Sequence, residues 1–176
     1  MRAAEPGSGV DVPVGGPVTG RDFDALVAPH AAVLMAIAAR LVGVDDAADV
    51  VQEALLRSWR RWSTFDPAKG TLRAWLAAIT VDRARRHRRR LARANLRRTL
   101  TDLPDVPVGD SDHARRLVIE AVVRSLPRRQ REVIVVFYLA DLSVEQTAQA
   151  LGLRPGSVKA HLAAARARLK TALEDL

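Results

Sequence analysis

The amino-acid sequence predicts an all-α protein made of two small helical domains joined by a flexible linker. Apolar residues recur at helical spacing in several separate segments. A stretch rich in Pro, Gly and Asp at residues 99–112 interrupts that spacing. Near the C-terminus a capping box, a glycine and a second amphipathic run follow one another as in a helix-turn-helix. The expected divisions are a disordered tail over 1–20, a first domain over 21–98, the linker over 99–112 and a second domain over 113–176.

The tail, "MRAAEPGSGVDVPVGGPVTG", is Gly- and Pro-rich and lacks the apolar stretch of a signal peptide. No apolar run is read as approaching the roughly 20 residues that cross a bilayer, so the expected location is the cytoplasm. The first helix is expected over Arg21–Val42. Phe23, Leu26, Val27, Ala31, Leu34, Ile37, Ala38 and Leu41 lie on its apolar face, Pro29 kinks or restarts it, and Gly43 ends it. A second helix, N-capped by Asp45, should run to about Trp62. Its stretch "DVVQEALLRSW" puts Asp49, Gln52, Glu53 and Leu56 on one stripe, while Val51, Leu55, Trp59 and Trp62 point the other way as core. The polar stripe is either solvated surface or a docking face with an apolar anchor and a polar rim.

"STFDPAKG" breaks the periodicity at Pro67 and Gly70, and Thr71 can cap a third helix from Leu72 to around Arg93. Beyond the linker, a helix is expected over Asp112–Ser125 and another from Pro127 through "PRRQREVIVVFYLA". "VIVVFY" taken alone also reads as a buried strand. The flank "RRQRE" and the lack of a partner strand favour the helix. Ser143 and Gln146 form a capping box, Gly152 ends that short helix, and a longer one from Pro155 buries Val158, Leu162, Ala165, Leu169 and Leu173.

With 176 residues, 48% of them apolar, the chain can build one or two cores. It has no cysteine, which excludes a disulfide framework and a thiolate metal site. The formal net charge of +8 points to a polyanionic partner. "RARRHRRR" supplies Arg83, Arg85, Arg86, Arg88, Arg89 and Arg90, more than a helix end needs, so phosphate binding is weighed above a solvated face. On the last helix Gly156, Ala160, Ala163, Ala164 and Ala167, flanked by Ser157, Lys159 and His161, would let the helix axis approach base edges in a major groove. An ordinary helical hairpin is the alternative. No glycine-rich phosphate loop, nucleophile arrangement or metal-ligand spacing is present, so neither catalysis nor a cofactor is expected.

Three ordered motifs, "AADVVQEALLRSWRRW", "GTLRAWLAAITVDRARRHRRR" and "LPRRQREVIVVFYLADLSVEQTAQALGLRPGSVKAHLAAARARL", carry a resemblance. From about Phe23 onward the chain resembles an extracytoplasmic-function, or group IV, sigma factor of bacterial RNA polymerase, with a region 2-like bundle followed by a region 4-like helix-turn-helix. The resemblance implies a non-enzymatic subunit that binds core RNA polymerase and directs promoter-specific initiation, with promoter DNA and a candidate anti-sigma factor as further partners. It makes Asp49, Gln52, Glu53 and Leu56 the core-polymerase contacts. The loop from Phe65 to Thr71 and the helix to Arg90 become the minus-ten reader, with Phe65, Lys69, Thr71, Arg73, Trp75, Asp82, Arg85, Arg86 and Arg89 as contacts to a flipped base and to phosphates. Arg154, Ser157, Lys159, Ala160, His161 and Ala164 become the minus-thirty-five reader. The sequence departs from the family pattern at Ala48, where an acidic residue is usual, at Asp82, which replaces an Asn and only accepts hydrogen bonds, and at Ala160, His161, Ala163 and Ala164, which thin the base-reading surface. A stand-alone helix-turn-helix repressor or activator is the competing expectation.

Overall fold

The computed structural model describes residues 19–95 and 111–174, which hold eight α-helices, two short 3-10 turns and no strand. The tail through residue 18 and residues 96–110, where most of the linker is expected, lie outside them. Helix α1 spans Gly20–Val27 and α2 spans Ala31–Val42. Between them Pro29 sits in a tight 3-10 turn, Ala28–His30, so the expected break is a single turn. Gly43, at φ 100°, closes α2, its N–H donating to the carbonyl of Ala39.

Helix α3, Val44–Arg60, starts directly after that glycine. The expected Asp45 cap is therefore corrected. Gly43 occupies the N-cap position, and Asp45 and Asp46 lie inside the first turn. The φ of Gly43 turns the chain within one residue, which a residue with a Cβ adopts only under strain, and no extended residue remains ahead of Asp45 to cap with. Helix α4, Leu72–Asn95, follows a loop and is capped as expected, Thr71 Oγ1 accepting from the N–H of Ala74 at 3.2 Å.

The second half comprises α5, Ser111–Ser125, α6, Arg128–Leu139, α7, Val144–Leu151, and α8, Pro155–Glu174. "VIVVFY" is helical. Glu132, Val133, Ile134, Val135 and Val136 are consecutive and all buried, as in a helix enclosed on every side, so the β-branched content reflects burial. Pro127 precedes the first helical residue, one position earlier than expected. The Ser143–Gln146 capping box is formed at both ends, 2.9 and 3.1 Å, and Gly152 is left-handed at φ 66°, with the N–H of Leu153 returning to the carbonyl of Ala148.

The two halves share one apolar cluster running from Leu34, Ile37 and Leu76 to Val133, Val136 and Val158. Each fully buried side chain of this kind stabilises by about 1.5–3 kcal/mol. Helix α2 lies against α3 and α4 on one side and against α5 and α6 on the other, while α4 meets α7. The domains expected to ride apart on a tether are thus packed against each other along a seam. Two buried hydroxyls are satisfied locally, Ser58 on the carbonyl of Ala54 at 2.8 Å and Thr80 on that of Leu76 at 2.9 Å.

Contrary to the reading of the bare sequence, Gly20–Val42 is long and apolar enough to span a bilayer by composition. Here its apolar side chains, from Phe23 through Leu41, are core contacts, and Pro29 breaks the segment into two helices.

Candidate functional site

Helix α3 turns Ala47, Val50, Val51, Ala54 and Ser58 inward. That leaves Asp49, Gln52 and Leu56 exposed and Glu53 partly so, with Leu56 showing 51% of its surface. The helix dipole accounts for Asp45 and Asp46 but fades beyond the first turn, so it does not explain Asp49 or Glu53. Glu53 lies 3.7 Å from Arg90 of α4. Trp59, expected in the core, is 39% exposed, a correction with a clear cause. Its ring stands edge-on against Phe23, centroids 5.2 Å apart, so one flank covers α1 while the other faces outward. Beside it a groove of about 240 Å³ is lined by Phe23, Gln52, Leu55, Leu56 and Trp59. Trp59 belongs to the same stripe as Gln52 and Leu56, seven and three residues away, and that spacing was the available signal.

The second group surrounds the loop between α3 and α4. Asp66 accepts from the N–H of Ala68 at 3.0 Å and pairs with Lys69 at 3.1 Å, bonds that hold its carboxyl below the usual range. Phe65 is only 7% exposed, tilted against Trp62 and Trp75 at 5.5 and 5.4 Å. It is thus a wall in this conformation and meets no solvent-borne base directly. Thr71 spends its hydroxyl on the α4 cap. Together Phe65, Asp66, Lys69, Thr71 and Trp75 edge a pocket of about 200 Å³ whose far side is Gln146, Gln149 and Ala150 of α7. A Cβ on Gly70 would lie 3.6 Å from the Gln149 amide oxygen, so α7 roofs this loop closely. Arg73 is half-buried, and together with burial, the larger cause, its charge lowers the pKa of His30.

Along α4 the arginines are largely engaged. Asp82 accepts from Arg83 at 3.0 Å and Arg86 at 3.1 Å. Burial pushes the Asp82 carboxyl up, yet these bonds prevail and hold it below its ordinary value. Arg85 reaches across the seam to Glu132 of α6, which Arg128 and Arg129 also bind, at 2.9 and 3.0 Å. Burial again raises the carboxyl, and the bonds from Arg85 and Arg128 more than reverse it. Glu132 was missed from sequence. The spacing of Arg128 and Arg129 to it was visible, whereas its partner on α4 was not. Buried His87 of α4 lies 3.1 Å from Asp46 of α3 and 3.2 Å from Arg90 one turn along its own helix. Arg89 is exposed.

In the helix-turn-helix of α7 and α8, Val158, Leu162 and Ala165 face inward. Lys159, Ala160 and Ala163 are exposed, and Ser157, His161 and Ala164 are partly exposed, so these residues form the outward side of α8, with exposed Arg154 in the turn just ahead of it. Arg166 anchors α8 to α6, lying 5.7 Å from the ring centre of Phe137 and 5.6 Å from that of Tyr138, whose oxygen accepts from its Nε at 2.9 Å.

Comparison with known proteins matches both halves. The family model for Sigma-70 region 2 covers residues 26–94, and that for Sigma-70, region 4 covers residues 116–169. The chain is 34% identical over 155 residues to the RNA polymerase sigma-E factor of Streptomyces coelicolor, spanning 86% of each protein. It is 33% identical over 157 residues to the ECF RNA polymerase sigma factor SigL of Mycobacterium tuberculosis, spanning 86% of this chain and 89% of that one. Its fold superposes with a TM-score of 0.74 on the sigma factor RpoE solved in complex with the anti-sigma factor NepR from Bartonella quintana, at 25% identity over 88% of this chain and 98% of that one.

Proposed function

The chain belongs to the extracytoplasmic-function sigma factors of RNA polymerase, and from that premise we propose how its surfaces divide the work of transcription initiation. As a sigma factor it binds core RNA polymerase and directs promoter-specific initiation. The single observation that carries this is the ordered pair of region 2 and region 4 matches on one chain, a combination that a stand-alone helix-turn-helix regulator does not need.

The α3 face is the core-docking surface. Leu56 and Trp59 supply apolar anchors beside the groove, and Asp49, Gln52 and Glu53 supply a polar rim. The pocket edged by Phe65, Lys69, Thr71 and Trp75 takes an unstacked base of the minus-ten element, with Arg73, Arg85, Arg86 and Arg89 tracking phosphates and Asp82 setting the spacing of the arginines it binds. The exposed face of α8, with Arg154, Ser157, Lys159, Ala160, His161 and Ala164, reads the minus-thirty-five element as duplex. The boundaries at 21–98, 99–112 and 113–176 divide these tasks between two domains.

The packed seam supports one more element of this reading. With α7 over the minus-ten pocket and Arg85 held by Glu132, the free chain binds promoter DNA weakly, and core polymerase draws the domains apart. A partner that favours the packed form would act as an anti-sigma factor, a class that the matched RpoE structure contains. The chain performs no catalysis of its own and works in the cytoplasm beside the polymerase.

In vitro transcription of a genomic library by core polymerase, with and without the chain, tests the reading. Discrete initiation sites that require the chain are the expected result. Absence of core binding at about micromolar concentration, a free energy near −8 kcal/mol, would overturn it.

A further inference from the structure

Four arginines converge where the two halves meet. Arg40 comes from α2, Arg88 from α4, Arg124 from α5 and Arg131 from α6, and they line a cleft of about 470 Å³ with Leu41 and Leu91 among its walls. The site lies apart from the minus-ten pocket and from the outward face of α8. Among the described residues one carboxylate serves it, Glu120, which pairs with Arg40 at 2.8 Å. Glu132, the other nearby acid, is taken up by Arg85, Arg128 and Arg129. The cleft therefore holds an excess of cations.

Arg131 is positioned before any ligand arrives. Its Nη2 donates to the carbonyls of Arg124 and Leu126 at the end of α5, and its Nε is buried with no partner among the described residues. Burial lowers its pKa, and the neighbouring charges of Arg88 and Arg124 lower it further against the smaller opposing charge of Glu132, so the guanidiniums repel one another in a partly desolvated space. Such an arrangement is relieved by an anion. Guanidinium forks match phosphate oxygens in pairs, and apolar walls strengthen the attraction by thinning the water around it. Several facing arginines call for a ligand with more than one negative charge.

We propose that this cleft is a binding site for a small oligophosphate anion, either a free inorganic oligophosphate or the phosphate chain of a nucleotide. A duplex does not fit the recess, whose two walls belong to different domains and exist only while these are packed together. Its volume lies in the range of small-ligand pockets. A ligand there bridges α2 and α4 to α5 and α6 and stabilises the packed form. The inference rests on the seam and needs no promoter, so it stands or falls separately from the minus-ten and minus-thirty-five assignments.

The test is calorimetric titration of the full chain with sodium tripolyphosphate, and in a second arm with a nucleoside triphosphate, at constant ionic strength. Saturable binding is expected, weakened at least about tenfold by Arg88→Gln and by Arg124→Gln, with circular dichroism confirming the fold of each variant. Arg60→Gln and Arg168→Gln, one in each half and outside the cleft, are expected to change it less than about twofold. Tighter binding of the nucleotide assigns the site to nucleotides, and equal binding assigns it to the phosphate chain alone. No saturation up to about 1 mM, equal loss in the Arg60 or Arg168 variants, or equal binding of sulfate would overturn the proposal. So would competition by double-stranded DNA that is lost in the Arg88 and Arg124 variants, since it would make these residues backbone contacts.

Discussion

Arg85 of α4 and Glu132 of α6, 47 positions apart in sequence, form a bidentate ion pair across the seam, Nε to Oε1 at 3.1 Å and Nη2 to Oε2 at 2.8 Å. The carboxylate is nearly sealed from solvent, 2% exposed, and Arg128 and Arg129 complete its coordination. In a site of that kind the pair fixes an arrangement more than it adds net stability, because desolvation offsets much of the attraction.

Removing one partner leaves buried charge uncompensated. Glu132→Gln is expected to destabilise the chain by about 3 kcal/mol in denaturant unfolding. It should also raise the affinity of the free chain for a single-stranded minus-ten oligonucleotide, because Arg85 is released. Unchanged stability together with unchanged DNA affinity would show that the latch does not hold the domains.

The same carboxylate makes the seam sensitive to acid. Its folded pKa lies below its unfolded value, so its contribution is complete above the unfolded value and is lost as pH falls through the folded one. The stability difference between the parent and Glu132→Gln should therefore be constant above the ordinary glutamate value, about 4.3, and shrink below it, on top of the decline that both proteins share as His30, whose pKa is lowered in the fold, takes up a proton at higher pH. Equilibrium unfolding as a function of pH checks this, and parallel curves for the two proteins would remove Glu132 as the cause.

On the α3 face, Trp59→Ala is expected to weaken core-polymerase binding by about 2 kcal/mol, the scale of an aromatic anchor at an interface centre. The double change Asp49→Ala and Glu53→Ala should weaken it by about tenfold while duplex binding by residues 143–176 stays as it was. Pull-down with core enzyme and a separate electrophoretic shift measure the two. Equal loss in both assays would argue against a dedicated docking face.

At the helix-turn-helix, Ser143→Ala removes a formed cap and should reduce stability by about 1 kcal/mol, lowering Tm by about 3 °C. Gly152→Ala at φ 66° should act in the same direction through backbone strain. Calorimetric melting decides both, and a Tm unchanged in either variant would mean that the turn is not held by these residues.

Much of this architecture was legible in the sequence because it depends on short-range regularities. Leu34, Ile37 and Leu41 mark one helical face by spacing alone, and Ser143, Gln146 and Gly152 bound α7 by local chemistry. The exposed stripe of Asp49, Gln52 and Leu56 was readable for the same reason. Trp59 was misplaced because a large aromatic was assigned wholly to one side, whereas an amphipathic ring on a helix flank serves core and surface together. Asp45 was misread because capping preferences rank it above glycine, while the φ of Gly43 decides where the chain turns. The burial of Phe65 and the seam itself depend on contacts between residues distant in sequence, such as Arg85 with Glu132 and Gly70 with Gln149, which no periodicity encodes.

The arginine run behaves differently from its formal charge. Arg83 and Arg86 hold Asp82, Arg85 holds Glu132, and Arg90 lies by Glu53. On the proposed reading, a nucleic acid phosphate that meets these side chains replaces one anion with another, so contact is an exchange of counter-charges and not a first neutralisation. Fewer salt ions are then expected to be released on binding DNA than six guanidiniums imply, and the expected dependence of affinity on ionic strength is correspondingly shallow.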